Sequence, residues 1–207
     1  MITYKTEQEE FWAGDFGNKY IGRNKDKKAI TKNLNLFSKI FENTTNIKSV
    51  LEFDANIGLN LHAIKTLLPD VNISAVEINN LAIKILKKIS SIKVYHQSIL
   101  DFDVKNKADF VFTKGVLIHI NPDKLNLIYE KLYNTSNKYI CIAEYYNPQP
   151  IAIKYRGYEN KLFKRDFAGE LLDKYKNLEL IKYGFIYHRD TKFPLDDISW
   201  FLLEKYI

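Results

Sequence analysis

Short apolar runs alternate with helical patterns through the middle of the chain, and this alternation restricts the fold more than any other feature. Runs rich in β-branched and aromatic residues predict strands at Ser49–Phe53, Val71–Glu77, Ile92–His96, Ala108–Thr113 and Tyr139–Glu144. The predicted intervening helices are Leu59–Leu68, a helix capped by Asn79 that runs to about Ile89, and a helix from Pro122 and Asp123 to about Tyr133. This order indicates right-handed βαβ units and a mostly parallel sheet.

The two ends of the chain differ from its middle. Residues 1–45 hold an acidic, aromatic stretch and then a predicted helix, about Lys25–Phe41. Near the C-terminus a helix at Arg165–Tyr175 is followed by two strands, Leu178–Tyr187 and Ile198–Tyr206, which we expect to be antiparallel. The prediction is an α/β, Rossmann-like fold with a mostly parallel seven-stranded sheet, helices on both faces and a C-terminal antiparallel strand pair. Class I methyltransferases resemble this arrangement.

We expect 1–207 to form a single domain with three parts. Residues 1–45 are expected to be an N-terminal helical lid or cap, and 46–145 the cofactor-binding core. Residues 146–207 are expected to supply a substrate-side loop, a helix and the C-terminal strand pair. A length of 207 residues suits one domain.

Composition excludes several classes of protein. One cysteine excludes a disulfide framework and a cysteine-based zinc site, and four scattered histidines show no metal-ligand spacing, so no metal is expected. No apolar run approaches the roughly 20 residues that span a bilayer, and the polar N-terminus lacks a signal-peptide core. We therefore expect a cytoplasmic protein without a membrane partner.

The net charge of +6 invites a nucleic-acid interpretation, but its source argues against one. The sequence holds 27 Lys and only 4 Arg, with the lysines spread along the chain among acidic residues. Such a distribution favours a solvated lysine surface over a nucleic-acid footprint. We expect a small-molecule acceptor and no nucleic-acid partner.

The loop after the first predicted strand is the first candidate site. Ligands of open α/β sheets bind at the carboxyl ends of the strands. The segment Leu51–Asn60 resembles the first motif of class I S-adenosylmethionine methyltransferases, in which an acidic residue precedes alternating glycines. Glu52 and Gly58 match that motif, whereas Asp54 and Asn56 stand at glycine positions. Asn56 tolerates positive φ. Asp54 adds a negative charge where the backbone approaches the methionine half of the cofactor. An ordinary strand-to-helix turn is the alternative.

The next two strand ends extend the resemblance. Glu77 ends the second strand, where a carboxylate can accept hydrogen bonds from both ribose hydroxyls. In the methyltransferase pattern the segment after the third strand flanks adenine, a role that Ser98, Ile99 and Leu100 fit, with Ile78 on the other face of the ring. A solvated glutamate at the end of a strand is the alternative for Glu77.

The fourth and fifth strand ends carry the candidate catalytic groups. The resemblance implies that Thr113 and Lys114 lie near the methionine portion of the cofactor. An amine or hydroxyl acceptor needs a base, and His119 or Glu144 could serve. Tyr145 and Tyr146 could line the acceptor pocket. The alternatives are a helix histidine without a catalytic role and ordinary aromatic packing.

Further segments resemble one subfamily, the methyltransferases associated with bacterial pseudaminic acid biosynthesis. They are the block 10–24 (EFWAGDFGNKYIGRN), the segment 144–148 (EYYNP), the segment 155–158 (YRGY) leading to 165–167, and the segment 193–197 with Trp200. The resemblance covers nearly the whole chain and implies an amino-sugar or nucleotide-sugar acceptor. It also implies that Tyr20, in the N-terminal block, contacts the cofactor.

Arginine is rare in this lysine-rich chain, so its positions are informative. Its planar guanidinium suits carboxylate or phosphate groups. We expect Arg156 and Arg165 to bind an anionic acceptor and Arg23 to pair with the cofactor carboxylate. Surface salt bridges are the alternative.

The sequence therefore favours an S-adenosylmethionine-dependent N- or O-methyltransferase that acts on a small polar, anionic acceptor and yields S-adenosylhomocysteine. Three alternatives remain open at this stage. Asp54 suits a degenerate, non-catalytic binding protein, and Glu77 would also suit a nicotinamide-dependent oxidoreductase, although its pyrophosphate needs glycines that positions 54 and 56 lack. A nucleic-acid methyltransferase is favoured only by the basic charge.

Overall fold

A computed structural model of the chain describes residues 3–24, 28–103 and 107–206. Its strands are β1 (Ser49–Phe53), β2 (Asn72–Glu77), β3 (Ile92–His96), β4 (Ala108–Lys114), β5 (Ser136–Glu144), β6 (Ile151–Tyr155), β7 (Tyr158–Lys164), β8 (Leu178–Ile186) and β9 (Ile198–Lys205). Its helices are α1 (Glu7–Ala13), α2 (Asp15–Arg23), α3 (Lys28–Phe41), α4 (Leu59–Leu67), α5 (Asn80–Leu86), α6 (Leu125–Thr135) and α7 (Phe167–Lys174). Single 3-10 turns lie at Ile99–Asp101, Leu117–His119 and Pro122–Lys124.

Seven strands form one sheet in the order β3-β2-β1-β4-β5-β9-β8. The first five in this order run parallel, while β9 pairs antiparallel with both β5 and β8. This confirms the predicted mostly parallel sheet with an antiparallel C-terminal pair. The chain order reverses beside β1, so the carboxyl ends of β1 and β4 flank the crevice where such sheets bind ligands.

Alternating side chains on the strands build a core on each face of the sheet. On β4, Phe110 and Phe112 face α3 and α4, whereas Val111 faces α6 and α7. Both faces are therefore covered by helices, as predicted. The β-branched and aromatic residues of the central strands β1, β2, β4 and β5 are almost fully buried, as expected for parallel strands that are packed on both sides.

Local signals begin the helices where the sequence predicts. Asn79 caps α5, because its Oδ1 accepts hydrogen bonds from the backbone N–H groups of Leu81 (2.9 Å) and Ala82 (3.0 Å). Pro122 opens a single 3-10 turn from which α6 continues. The predicted N-terminal helix appears as α3, and its expected first residues, 25–27, lie outside the described part of the chain.

The segment after β5 is a β-hairpin, not the loop that the sequence predicts. Strands β6 and β7 pair antiparallel outside the main sheet, and Arg156 (φ 50°) and Gly157 (φ 90°) form the two-residue turn between them. Such a turn requires positive φ at both positions. The hairpin was missed because charged residues interrupt its alternation and because Arg-Gly is a weaker turn signal than Asn-Gly.

The N-terminal block folds into the two short helices α1 and α2, which lie over the carboxyl edge of the sheet. Thr6 and Glu9 form a reciprocal capping box at the start of α1. No helix in the described ranges is long and apolar enough to cross a membrane.

Candidate functional site

A cleft lies at the carboxyl ends of β1, β2, β3 and β4, beneath α1 and α2. It contains about 920 Å³ of space free of protein atoms, a figure that includes space open to solvent at its mouth. Ten of the predicted site residues line it: Tyr20, Asp54, Asn56, Glu77, Ile78, Ser98, Ile99, Leu100, Lys114 and His119. Residues from separate loops thus meet where the fold predicts a ligand.

The loop after β1 makes its turn through three residues with positive φ. Asp54 has φ 54°, Asn56 has φ 49° and Gly58 has φ 80°. Asn56 therefore adopts the conformation that the sequence predicts for it. Gly58 does not line the cleft; it begins α4, and a Cβ there would come within 2.8 Å of the side chains of Leu86 and Ile89.

The loops after β1, β2, β3 and β4 form the floor of the cleft. Glu77 holds this floor together through backbone hydrogen bonds. Its Oε2 accepts from the N–H of Asn56 (2.7 Å), and its Oε1 accepts from the N–H groups of Ile78 (2.9 Å) and Asn79 (2.7 Å). Burial raises the pKa of Glu77, and these three hydrogen bonds oppose that rise. Oε1 thus uses both of its lone-pair sites, and Oε2 keeps one site for a ligand.

The turn after β3 joins the floor of the cleft to α1. The Ser98 hydroxyl donates a hydrogen bond to the Glu9 carboxylate and accepts one from the N–H of Leu100 (2.9 Å). Ile99 and Leu100 are buried and add apolar surface to the cleft beside Ile78. The cleft therefore offers a polar group and apolar walls side by side at this end.

The helices above the cleft contribute residues that sequence reasoning did not single out. Thr6, Gln8, Glu9 and Trp12 line it from the α1 side. Gln8 Oε1 and Trp12 Nε1 are buried and have no hydrogen-bond partner among the described residues. The aromatic block 10–24 was the available signal, but nothing in it distinguished Trp12 from its aromatic neighbours.

The remaining unpredicted lining residues come from the floor. They are Asn79, Gly115, Val116, Ile120, Asn121 and Lys124. Asn79 was recognised only as a helix cap. Its Nδ2 also donates to the backbone carbonyls of Trp12 (3.1 Å) and Ala13 (3.2 Å), so it connects the floor to the helices above.

His119 lies in the cleft in its neutral form. Its Nδ1 is 2.5 Å from the Lys161 carbonyl oxygen, which can only accept, so Nδ1 carries the proton and Nε2 has a free lone pair. The ring packs between Trp12 (centroids 4.6 Å apart) and Tyr155 (4.9 Å). Burial lowers the pKa of His119 to about 4.

Glu144, the other candidate base, does not line the cleft. Its carboxylate accepts hydrogen bonds from the backbone N–H groups of Val116 (3.0 Å) and Leu117 (3.1 Å), and it is 2% exposed. Burial raises its pKa to about 7, against the effect of these hydrogen bonds. This arrangement fixes the turn after β4 and keeps the carboxylate away from a ligand.

Glu52 also lies below the cleft. Its side chain is 1% exposed, and its Oε1 accepts a hydrogen bond from Asn60 Nδ2 (2.5 Å). Glu52 Oε2 and Asn60 Oδ1 have no partner among the described residues. Burial raises the pKa of Glu52 to about 8, so the carboxyl is protonated near neutral pH. A buried acid beside an amide supports the strand end and makes no contact with the cleft.

Three further predicted residues lie outside the cleft lining. Thr113 is fully buried under it. Tyr145 is half-buried beneath Lys164, whose Nζ is 5.1 Å from the ring centroid, and burial raises the pKa of the Tyr145 phenol. Tyr146 is 42% exposed and its ring is 5.9 Å from that of Phe201. The residues after β5 therefore turn away from the cleft.

None of the three candidate arginines lines the cleft. Arg165 donates from Nε to Glu170 Oε1 (2.5 Å), and Tyr129 completes that network on the other oxygen of Glu170. Arg156 is exposed in the hairpin turn, with its guanidinium over Tyr155. Arg23 is exposed over Phe16, 5.5 Å from the ring centroid. Among the described residues Arg165 alone of the three forms a salt bridge, while Arg23 and Arg156 lie over aromatic rings.

The charged residues of the cleft lining are three acids, Glu9, Asp54 and Glu77, and two lysines, Lys114 and Lys124. Burial raises the pKa of Asp54, and the charges of Glu77 and Glu9 add to the rise. Burial lowers the pKa of Lys114, while the carboxylates of Glu52 and Glu144 oppose that effect. Burial also raises the pKa of Tyr20 to about 12. The described residues hold no cluster of metal-ligating side chains.

Comparison with solved structures decides the fold. The plantazolicin methyltransferase BpumL, in complex with SAH, matches with a TM-score of 0.69 at 15% identity, over 97% of this chain and 94% of that chain. The chain has the class I methyltransferase fold. The 1,6-didemethyltoxoflavin-N1-methyltransferase of Burkholderia thailandensis, with S-adenosylhomocysteine bound, matches with a TM-score of 0.71 at 12% identity, over 100% of this chain and 94% of that chain.

A third protein with this methyltransferase fold acts on an amino sugar. CalS10, an amino pentose methyltransferase from Micromonospora echinaspora, was solved with SAM bound and matches with a TM-score of 0.61 at 10% identity. The match covers 92% of this chain and 96% of that chain. No protein-family model and no curated protein matches the sequence, so the pseudaminic acid subfamily finds no support here. At these identities the likeness carries the fold alone.

Proposed function

We propose that the protein transfers a methyl group from S-adenosylmethionine to a small-molecule acceptor. One observation carries the proposal: the ends of β1, β2, β3 and β4 line a single cleft in which Glu77, Ile78, Ser98 and Leu100 stand together. The order of these groups suits a cofactor with an apolar base, a diol and a charged tail. A dinucleotide suits the loop less well, because the side chains of Asp54 and Asn56 occupy positions where a pyrophosphate needs glycine.

The residues of the cleft fit the adenosine part of this cofactor. Ile78, Ile99 and Leu100 offer apolar surface for the adenine ring, and Ser98 offers a hydroxyl beside it. The oxygens of Glu77 are held in place by backbone N–H groups, and Oε2 can accept one further hydrogen bond, from a ribose hydroxyl. The carboxylate is therefore positioned before the ligand arrives.

His119 is the residue that we propose to contact the acceptor. The sulfonium of S-adenosylmethionine supplies an activated methyl group, so the protein has mainly to align the acceptor and exclude water. The free Nε2 of His119 can accept a hydrogen bond from an acceptor N–H or O–H. A pKa of about 4 makes His119 a weak base. An acceptor that can attack the methyl group without first losing a proton, such as an amine or a ring nitrogen, suits such a weak base better than an alcohol.

The finer identity of the acceptor is also a proposal. The sequence resemblance supports an amino-sugar or nucleotide-sugar acceptor. Such an acceptor implies a role in sugar biosynthesis, and we propose that the protein acts in the cytoplasm. The positions of Arg156 and Arg165 give an anionic acceptor no support. Gln8, Trp12 and Asn121 line the cleft, and their amide and indole side chains suit a neutral acceptor with hydroxyl or amide groups.

Titration calorimetry with S-adenosylmethionine and S-adenosylhomocysteine tests the proposal. We expect both ligands to bind the wild-type protein and Glu77→Gln to bind at least about tenfold more weakly, because the glutamine loses the charge that hydrogen-bonds to hydroxyl donors. Asp109→Asn is the matched control. Asp109 Oδ2 also accepts from backbone N–H groups, those of Lys48 and Ser49, but at the opposite edge of the sheet.

Two outcomes would contradict the proposal. If neither S-adenosylmethionine nor S-adenosylhomocysteine binds the wild-type protein, the proposed cofactor is wrong, and so is the proposed methyl transfer. Equal weakening by Glu77→Gln and Asp109→Asn would mean that the loss reflects folding and not the cleft. An acceptor panel of nucleotide-linked amino sugars, free amino sugars and nitrogen heterocycles, scored by mass spectrometry for one added methyl group, then separates the acceptor classes.

A further inference from the structure

The order of the strands fixes the direction in which the proposed cofactor lies. The adenine segment follows β3 and the ribose carboxylate Glu77 ends β2, and the sheet continues from β2 to β1 and β4. If adenosine occupies the first two strand ends, the amino-acid end of the cofactor lies over the last two. That end is a zwitterion, with an ammonium and a carboxylate on one carbon.

Asp54 and Lys114 occupy those two strand ends side by side. Glu52 of β1 is in register with Phe112 of β4, and Asp54 and Lys114 each follow two residues later. Both side chains line the cleft. Within the described part of the chain, the structure shows no hydrogen bond or ion pair from either side chain. An acidic and a basic side chain therefore line the cleft with their bonding capacity unused.

We propose that Asp54 binds the α-ammonium group of the cofactor and Lys114 its α-carboxylate, and that Asp54 releases a proton as the cofactor binds. This inference rests on the proposed function. It gives Asp54 a role in recognition at a position where a side chain could otherwise only obstruct the ligand. It also makes the amino-acid end of the cofactor a determinant of binding.

The surroundings of Asp54 explain the release of the proton. Four acidic side chains lie near it: Glu77 on β2 and Glu9 on α1 line the cleft with Asp54, whereas Glu52 on β1 and Glu144 on β5 lie outside the cleft lining. Burial, first of all, and then these groups raise the pKa of Asp54, which favours its protonated form in the empty cleft. Lys114 on β4 is the cation on the neighbouring strand end. A ligand ammonium adds positive charge beside Asp54 and favours the ionised carboxylate.

Calorimetry with two ligands isolates the amino-acid end. S-adenosylhomocysteine has it, and 5′-methylthioadenosine lacks it. We expect Asp54→Asn and Asp54→Gly each to weaken S-adenosylhomocysteine about tenfold or more, as for loss of a charged hydrogen bond, and to leave 5′-methylthioadenosine unchanged. Both substitutions tolerate the positive φ of position 54, so folding is preserved.

The two substitutions distinguish recognition from obstruction. Equal or tighter binding of S-adenosylhomocysteine by Asp54→Gly would overturn the inference, because it would show that the carboxylate obstructs the ligand. If neither ligand binds the wild-type protein, the proposed function itself has failed. If both ligands bind and position 54 has no effect, only the inference has failed.

Proton release gives a readout independent of affinity. Binding heats measured in two buffers of different ionisation enthalpy give the number of protons released. We expect the wild-type protein to release more protons with S-adenosylhomocysteine than Asp54→Asn does, and equal release would overturn the coupling. Lys114→Met should weaken S-adenosylhomocysteine but not 5′-methylthioadenosine. Lys84→Met, which removes an exposed lysine of α5 outside the cleft lining, is the matched control, and an equal loss there would overturn the role of Lys114.

Discussion

The floor and the roof of the cleft are built in different ways. The floor consists of the loops after β1, β2, β3 and β4, and the roof consists of α1 and α2. In the floor, Glu77 and Glu144 each receive hydrogen bonds from the backbone N–H groups of neighbouring loops. In the roof, Gln8 Oε1 and Trp12 Nε1 are buried without a partner among the described residues. Glu77 and Glu144 thus tie separate loops of the floor together, whereas Gln8 Oε1 and Trp12 Nε1 stay without a partner in the roof, as Glu52 Oε2 does below the cleft.

Few bonds hold the roof to the floor. Ser98 donates to Glu9, Asn79 donates to the carbonyls of Trp12 and Ala13, and Lys5 pairs with Asp101. Most are single contacts between side chains of distant segments. The difference suggests a division of work, in which the floor positions the cofactor and the roof completes the acceptor side. Substitutions that act on one region and not the other can test it.

The largest effect is expected from Gly17→Ala in the roof. A Cβ on Gly17 would lie 1.8 Å from the Trp12 carbonyl oxygen and 3.1 Å from Asn79 Nδ2, so α2 must move away from α1 and Asn79. Overpacking against a backbone atom predicts a loss of about 3 kcal/mol. Urea denaturation measures the loss, and hydrogen exchange should show lower protection of α1 and α2 than of the sheet.

Gly22→Ala is the matched control in the same helix. No atom lies within 4 Å of a Cβ at Gly22, and alanine favours a helix over glycine by about 0.5–1 kcal/mol. We expect this variant to be as stable as the wild-type protein or more so. If Gly17→Ala behaves like Gly22→Ala, α2 is not packed against α1 and Asn79 as described.

His119, which contacts the roof through Trp12, should make stability depend on pH. Its folded pKa of about 4 lies below the ordinary value of 6.5, so the unfolded chain binds the proton first as pH falls. The stabilisation is complete above pH 6.5 and is lost progressively as pH falls towards 4, by about 3 kcal/mol in total. His119→Asn, which can still donate to the Lys161 carbonyl, should lack this part of the pH dependence. Identical pH profiles of the two proteins would show that His119 is not buried in its neutral form.

The residues of the floor could be predicted from the sequence because the topology of the sheet determines where they lie. Residues that follow parallel strands meet at one edge whatever their side chains, so Glu77, Ser98 and Lys114 were found by counting from the ends of strands. The roof and the hairpin could not be found in this way. Their positions depend on how segments outside the sheet dock onto it, and no periodicity encodes that docking.

The same distinction explains the misjudged side chains. Glu144 ends β5 and Tyr145 follows it, at the same carboxyl edge of the sheet as the cleft. However, β5 pairs with β9 beyond the cleft, and the Glu144 carboxylate accepts hydrogen bonds from the turn after β4. Arg165 was chosen for its rarity, which says nothing about its partner, and that partner is Glu170, on the helix that begins just after it. The rarity of arginine identified candidate residues but did not predict where their side chains lie.

The smallest expected effect comes from Glu52, the floor carboxyl that no backbone N–H group stabilises among the described residues. A proton on Glu52 Oε2 would supply the donor that the nearby Asn60 Oδ1 lacks, so the acid and the amide can form two hydrogen bonds. The folded pKa of about 8 exceeds the ordinary 4.5, so this stabilisation is present in full below pH 4.5 and is lost as pH rises from there through 8. Glu52→Gln mimics the protonated acid. We expect its stability to match that of the wild-type protein below about pH 4.5, to exceed it at higher pH, and to gain about 1 kcal/mol of further advantage between pH 7 and pH 9. If urea denaturation shows that the stabilities of the two proteins change with pH in parallel across that range, Glu52 is ionised in the folded protein. The floor would then hold a buried charge with too few hydrogen bonds.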